Sequence, residues 1–125
     1  MYTALVLTEK SRQTLLKSFQ GLIPPTWEVI AHHMTINMGN AASGPLAQSE
    51  FEVGQTAKLV VTHYAYDALV MAAGVECEVP SANTRKHITL AVNRREGGKP
   101  FYSNKLTDWS YVSPIELEGV IEEVT

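Results

Sequence analysis

The chain has 125 residues, of which 45% are hydrophobic and 18% charged, and its formal net charge is −3. This length supports one domain with its own core, and the negative charge argues against an extended surface for duplex nucleic acid. The sequence therefore predicts a single domain over residues 1–125. Such a domain can still bind an RNA end, a short oligonucleotide or a cyclic nucleotide through a few local donors.

The chain carries a single cysteine, Cys77, which excludes an internal disulfide and suits a reducing compartment. The apolar segment over residues 1–7 is short, and it lacks the basic start and the small-residue cleavage site of a signal peptide. No apolar stretch approaches the length that spans a membrane. We expect a cytoplasmic protein, or an intracellular one in a virus-infected host, with no membrane partner.

The first third of the chain combines strand and helix patterns. Residues 2–7 are apolar and β-branched, which predicts a buried strand. Thr8 is positioned to cap a helix that runs to about Gln20 and is closed by Gly21. After two prolines, residues 27–38 predict one continuous strand.

The rest of the chain is dominated by strand patterns. A loop of small and polar residues over 39–50 precedes two predicted strands, 57–64 and 68–79, which a short turn joins. Another strand is predicted over Lys86–Asn93, and a final strand with an acidic edge over 116–124. Together, these elements predict an α+β domain with a mostly antiparallel sheet and one clear helix.

Two of the predicted strands carry the same pattern, His-x-Thr followed by an aliphatic residue. The two copies read HMTI and HITL. Because side chains alternate faces along a strand, His33 and Thr35 share one face of the first strand. His87 and Thr89 share one face of the second for the same reason. We expect both strands to line one central cleft, in which two imidazoles and two hydroxyls face a phosphate group.

These residue types suit the cleavage of a phosphodiester without a metal ion. One imidazole can deprotonate the attacking water or hydroxyl, and the other can protonate the departing oxygen, since histidine has an ordinary pKa near 6.5. The threonine hydroxyls can donate to the non-bridging phosphate oxygens. The pattern leaves open which histidine is the base and which the acid. It predicts no cofactor and no metal site, because the four histidines lack a chelating spacing.

The two motifs resemble those of the 2H phosphoesterase superfamily, which includes bacterial 2′-5′ RNA ligase-like proteins and cyclic phosphodiesterases. The second motif strand, KHITLAVN, is especially similar to the cyclic phosphodiesterase domain of fungal and plant tRNA ligases. The resemblance implies a hydrolase for RNA 2′,3′-cyclic phosphate, 2′-5′ linkages or a related cyclic nucleotide, in RNA repair or nucleotide-signal removal. It assigns the catalytic positions to His33, Thr35, His87 and Thr89.

Three further residues are candidates for substrate binding. Arg85 precedes the second motif and can add positive potential near a phosphate, although it can equally be a solvated loop end. Asn37 extends the face of the first motif, and Tyr66 can stack a nucleobase. His32 and His63 are expected to be structural. His32 falls on the strand face opposite His33, which favours a hydrogen-bonded residue of the core.

Two other functions are compatible with the sequence. The first is a non-catalytic binding module for a phosphorylated nucleotide or an RNA end, although binding alone does not need two imidazoles. The second is an interaction protein that pairs with a partner along its acidic C-terminal strand. The paired motifs favour the enzyme over both.

Overall fold

Seven strands and one α-helix make up the fold, which a computed structural model describes over residues 1–125. The helix α1 spans Glu9–Phe19, and none of the helices is long and apolar enough to cross a membrane. The predicted α+β class, with a mostly antiparallel sheet, is confirmed. The strands are β1 (Tyr2–Leu7), β2 (Glu28–Val29), β3 (His33–Met38), β4 (Thr56–Tyr66), β5 (Val70–Glu76), β6 (His87–Val92) and β7 (Ser110–Val124). Short 3-10 helices lie at Ala41–Ser43, Pro45–Gln48, Arg94–Glu96 and Pro100–Lys105.

The sheet closes on itself. Its strands follow the order β2-β6-β3-β1-β7-β4-β5, and β5 pairs in addition with β6. The six longer strands therefore form a closed antiparallel ring, and β2 shares an edge of β6 with β3. Strand β7 pairs with β1 on one side and with β4 on the other. Only Gly119 and Val120 pair with both neighbours, since the paired residues before them pair with β4 alone and those after them with β1 alone.

The helix begins as its sequence predicts and ends differently. The Thr8 side chain accepts a hydrogen bond from the backbone N–H of Ser11 at 3.2 Å, which caps the first turn. Its inner residues, among them Leu15, are buried in the core. At the other end the cap is Gln20 in a right-handed conformation, and Gly21 does not adopt a positive φ. The prediction of a glycine-closed helix end was therefore wrong.

The single strand predicted over residues 27–38 is interrupted. The backbone N–H of Ala31 donates to the carbonyl of Thr89, whereas Met34 pairs with Ile88. From Ala31 to Met34 the chain advances by three residues while β6 advances by one, so two extra residues bulge out relative to β6. Ala31 turns the chain there with a φ of +43°, a region that residues with a Cβ rarely occupy.

One buried core lies behind the motif strands. On β6, Ile88 and Leu90 are fully buried and alternate with His87 and Thr89, so the motif side chains occupy the opposite face. The core fixes the two motif strands and therefore the relative positions of their polar side chains. Its largest fully buried members include Leu5, Leu15, Phe19, Met34, Ile36, Leu59, Ile88, Leu90 and Ile121.

We expect Leu59→Ala to lower the free energy of unfolding by about 2–5 kcal/mol, because it leaves a cavity in this core. Leu22 is 48% exposed and provides the matched control. Leu22→Ala should change the free energy by less than about 0.5 kcal/mol. Urea unfolding followed by circular dichroism measures both, and equal losses in the two variants would contradict the assignment of the core.

Candidate active site

The backbone pairing of Met34 with Ile88 brings the two motifs together. Each of these residues is the middle member of a His-x-Thr triplet and points into the core, where it is fully buried. The four flanking side chains meet on the other face, and all four line one cavity of about 900 Å3. They are His33, Thr35, His87 and Thr89, so the structure gathers the predicted set at one place.

The His87 ring is held in a defined tautomer. Its Nδ1 lies 2.7 Å from the backbone carbonyl oxygen of Arg85, which can only accept. Nδ1 therefore carries the proton, and the neutral ring presents the lone pair of Nε2. The ring is 7% exposed, within the wall of the cavity.

The His33 ring contacts a histidine that the sequence placed elsewhere. His33 Nδ1 lies 2.9 Å from Nδ1 of His32, with the two rings edge to face. The expectation that His32 lies in the core was wrong, since this residue is exposed. The alternation of faces fails here because the chain bulges at His32 and His33 relative to β6, although His33 already pairs with Val6 of β1 as the first residue of β3. Ala31, which turns the chain, is not a residue type that signals a turn.

Burial disfavours the protonated, charged form of both His33 and His87. Desolvation, reinforced by the nearby His32 and His87, lowers the pKa of His33 to about 4. Desolvation also lowers the pKa of His87, as does the Arg85 guanidinium, while the hydrogen bond to the Arg85 carbonyl opposes this shift. Both rings are therefore neutral at pH 7 when the cavity is empty. A phosphate anion between them would raise both pKa values.

The two motif threonines differ in their hydrogen bonds. The Thr35 backbone is anchored, since its carbonyl accepts from Ser81 Oγ at 2.8 Å, and its hydroxyl has no partner in the protein. The Thr89 hydroxyl donates to the carbonyl of Pro100 at 3.2 Å and lies 2.8 Å from Ser103 Oγ. Thr35 is thus free to donate to a ligand, whereas Thr89 must first release an internal bond.

Arg85 lies beside the cavity and does not line it. Its guanidinium stands over the ring of Trp109 at 4.9 Å and packs against Gly74, where a Cβ would lie 2.5 Å from Nη2. Gly74 pairs with His87 across β5 and β6, so the absence of a side chain there lets the cation approach that histidine. Arg85 therefore acts on the site through its carbonyl and its charge.

The other two predicted binding residues have separate surroundings. Asn37 lines the cavity, but its Nδ2 donates to the carbonyls of Met38 and Asn40, which anchors the following loop. Tyr66 is 60% exposed, stacks on Tyr64, and lines a different cavity of about 310 Å3. The structure brings Asn37 to the motif residues and leaves Tyr66 apart from them.

Several cavity residues carry no motif that could have revealed them. Tyr2 lies in β1, and its ring centroid is 4.9 Å from that of His33. Phe101 also lines the cavity, is 59% exposed and belongs to the 3-10 helix at Pro100–Lys105. No group of three or more His, Cys, Asp and Glu side chains is placed to hold a metal ion.

A comparison with family models identifies the chain. The model described as the fungal tRNA ligase phosphodiesterase domain matches residues 17–124, a range that contains both His-x-Thr motifs. The chain belongs to this phosphodiesterase domain family. The match confirms the resemblance inferred from the motifs, and it supports a cyclic phosphodiesterase that acts on RNA ends. No match was found among curated proteins.

The low pKa of His33 predicts a pH-dependent stability. Between pH 6.5 and 4, the unfolded chain binds a proton at His33 that the folded protein does not bind. The contribution of neutral His33 to the free energy of unfolding is therefore fully present above pH 6.5 and is lost as the pH falls toward 4. His33→Gln removes this uptake, so the stability lost between pH 7 and pH 5 should shrink by up to about 2 kcal/mol. Urea unfolding at both pH values measures it, and an unchanged loss would contradict the burial of a neutral His33.

Proposed function

We propose that this domain hydrolyses a cyclic phosphate by acid and base catalysis from His33 and His87, without a metal ion. The substrates that we propose are RNA ends with a 2′,3′-cyclic phosphate and related cyclic nucleotides. The observation that carries the proposal is the shared cavity, in which both imidazoles and both motif hydroxyls face the same space. Water attacks the phosphorus, and the bond from phosphorus to one ribose oxygen breaks.

His87 is the better candidate for the base. Its Nδ1–H is committed to the Arg85 carbonyl, so its neutral form presents an unprotonated Nε2 to the cavity. Its lowered pKa keeps that form populated at neutral pH. A base in this state can take the proton of the attacking water, a step typically worth about 10²–10⁴ in rate.

His33 is then the acid that protonates the departing ribose oxygen. It approaches the cavity from the other motif strand, β3, as the second proton carrier needed for such a displacement. The Thr35 hydroxyl can donate to a non-bridging oxygen, and the nearby Arg85 charge favours an anion beside His87. No Lys or Arg lines the cavity, so it offers no fixed cation to balance the additional charges of a polyphosphate, and a single phosphate group suits it better.

We expect His33→Ala and His87→Ala each to lower kcat by at least about 10²–10⁴ on a nucleoside 2′,3′-cyclic phosphate, measured with excess EDTA. His63→Ala is the control, because His63 bonds to Thr62 and does not line the cavity. Retained binding of the cyclic nucleotide in the two inactive variants would separate catalysis from affinity. Wild-type activity that EDTA abolishes would contradict the mechanism, and binding without turnover by the wild type would favour a binding module.

The threonines should contribute unequally. Thr35→Ala removes a hydroxyl that is free for the phosphate, so kcat/KM should fall by about 10²-fold with little change in stability. Thr89→Ala also breaks the contacts to Pro100 and Ser103, so it should lower the melting temperature as well. Steady-state kinetics and thermal unfolding of both variants measure this contrast, and an unaffected kcat/KM in Thr35→Ala would contradict the role of Thr35.

A further inference from the structure

His32 and His33 form a pair that links the cavity to solvent. Their Nδ1 atoms are 2.9 Å apart, which is a hydrogen-bond distance that requires one proton between the two nitrogens. His33 is partly buried and lines the cavity, whereas His32 is exposed and does not line it. A charge on this pair is therefore better solvated on His32 than on His33.

The proton between the rings decides what His33 can do. When a neutral His33 donates from Nδ1 to His32, its Nε2 has a lone pair and can only accept a proton. When His32 Nδ1 donates, the His33 Nδ1 accepts and the proton of the neutral His33 ring is on Nε2. As long as His33 is neutral, only the second arrangement lets it act as the acid that the proposed function needs.

We propose that His32 is a positioning residue that relays a proton to His33 during cleavage, an inference that rests on the proposed function. At the start His32 is the cation, and its Nδ1–H donates to His33 Nδ1. As the bond from phosphorus to the ribose oxygen breaks, His33 Nε2–H gives its proton to that oxygen. His33 Nδ1 takes the proton of His32 Nδ1 in the same step. His33 ends neutral with its proton on Nδ1, and His32 ends neutral with its proton on Nε2.

The relay supplies an acid that His33 alone does not provide near neutral pH. The positive charge stays on the exposed ring before the step, and no charge has to be placed on the buried ring. The bulge after Ala31 makes the contact possible, since adjacent residues of a regular strand point to opposite faces. The titratable and charged groups around the pair are Tyr2 of β1, His87 of β6, and Arg12 of α1, which donates to the carbonyl of Ile30.

The test compares wild type, His32→Gln, His33→Ala and His63→Gln on adenosine 2′,3′-cyclic phosphate between pH 5 and pH 8. We expect His32→Gln to lower kcat by about 10–100-fold at pH 7.5 and to regain part of it toward pH 5, because His33 must then be protonated directly. Its KM should stay within about twofold, since His32 does not reach the substrate. His63→Gln should follow the wild type at every pH.

Two kinetic results would overturn the relay and leave the proposed function intact. One is a His32→Gln variant whose kcat equals that of the wild type at every pH. The other is a His32→Gln variant whose kcat falls by the same factor at every pH while His33→Ala is inactive. Activity that persists in His33→Ala would overturn the proposed function itself.

Nitrogen-15 shifts of the imidazoles test the pair independently of turnover. We expect His33 to carry its proton on Nε2 at pH 6 in the wild type and to change tautomer in His32→Gln, and an unchanged tautomer would contradict the relay.

Discussion

The site depends on one backbone pairing, that of Met34 with Ile88. Both side chains are fully buried, so the packing of the core holds the two strands at the point where their polar faces meet. Because faces alternate, burial of the middle residue of each triplet turns the histidine and threonine on either side toward the cavity. The hydrophobic core thus sets the geometry of the catalytic candidates, although it contributes no atom to the chemistry.

The interruption of the first motif strand gives the two histidines different surroundings. His87 lies within a regular strand, and a backbone carbonyl fixes its tautomer. His33 begins its strand after a bulge, and its Nδ1 partner is an imidazole that can either donate or accept. In the proposed mechanism, the Arg85 carbonyl keeps His87 as the base, and the imidazole of His32 lets His33 both accept and donate as protons move. The different roles that we propose for the two histidines follow from these two partners.

The two motifs and the predicted class were accessible from the sequence, because alternation along a strand and the Thr8 cap are local signals. The closed ring of strands could not be predicted, because a single sequence does not show which distant strands pair. The break after Ala31 was missed because alanine rarely adopts a positive φ. For the same reason His32 was assigned to the core. Tyr66 was proposed from residue type alone, and its distance from the cavity shows how weakly an aromatic side chain predicts its neighbours.

The proposed mechanism requires one phosphorus atom to lie between the two imidazoles of His33 and His87. A crystal structure of the wild type with a bound nucleoside 2′-monophosphate, the product of cyclic phosphate opening at the 3′ oxygen, tests it most directly. We expect phosphate oxygens within hydrogen-bond distance of Nε2 of both His33 and His87, with one oxygen accepting from the Thr35 hydroxyl. A phosphate held by only one of the two rings, or bound outside this cavity, would contradict it.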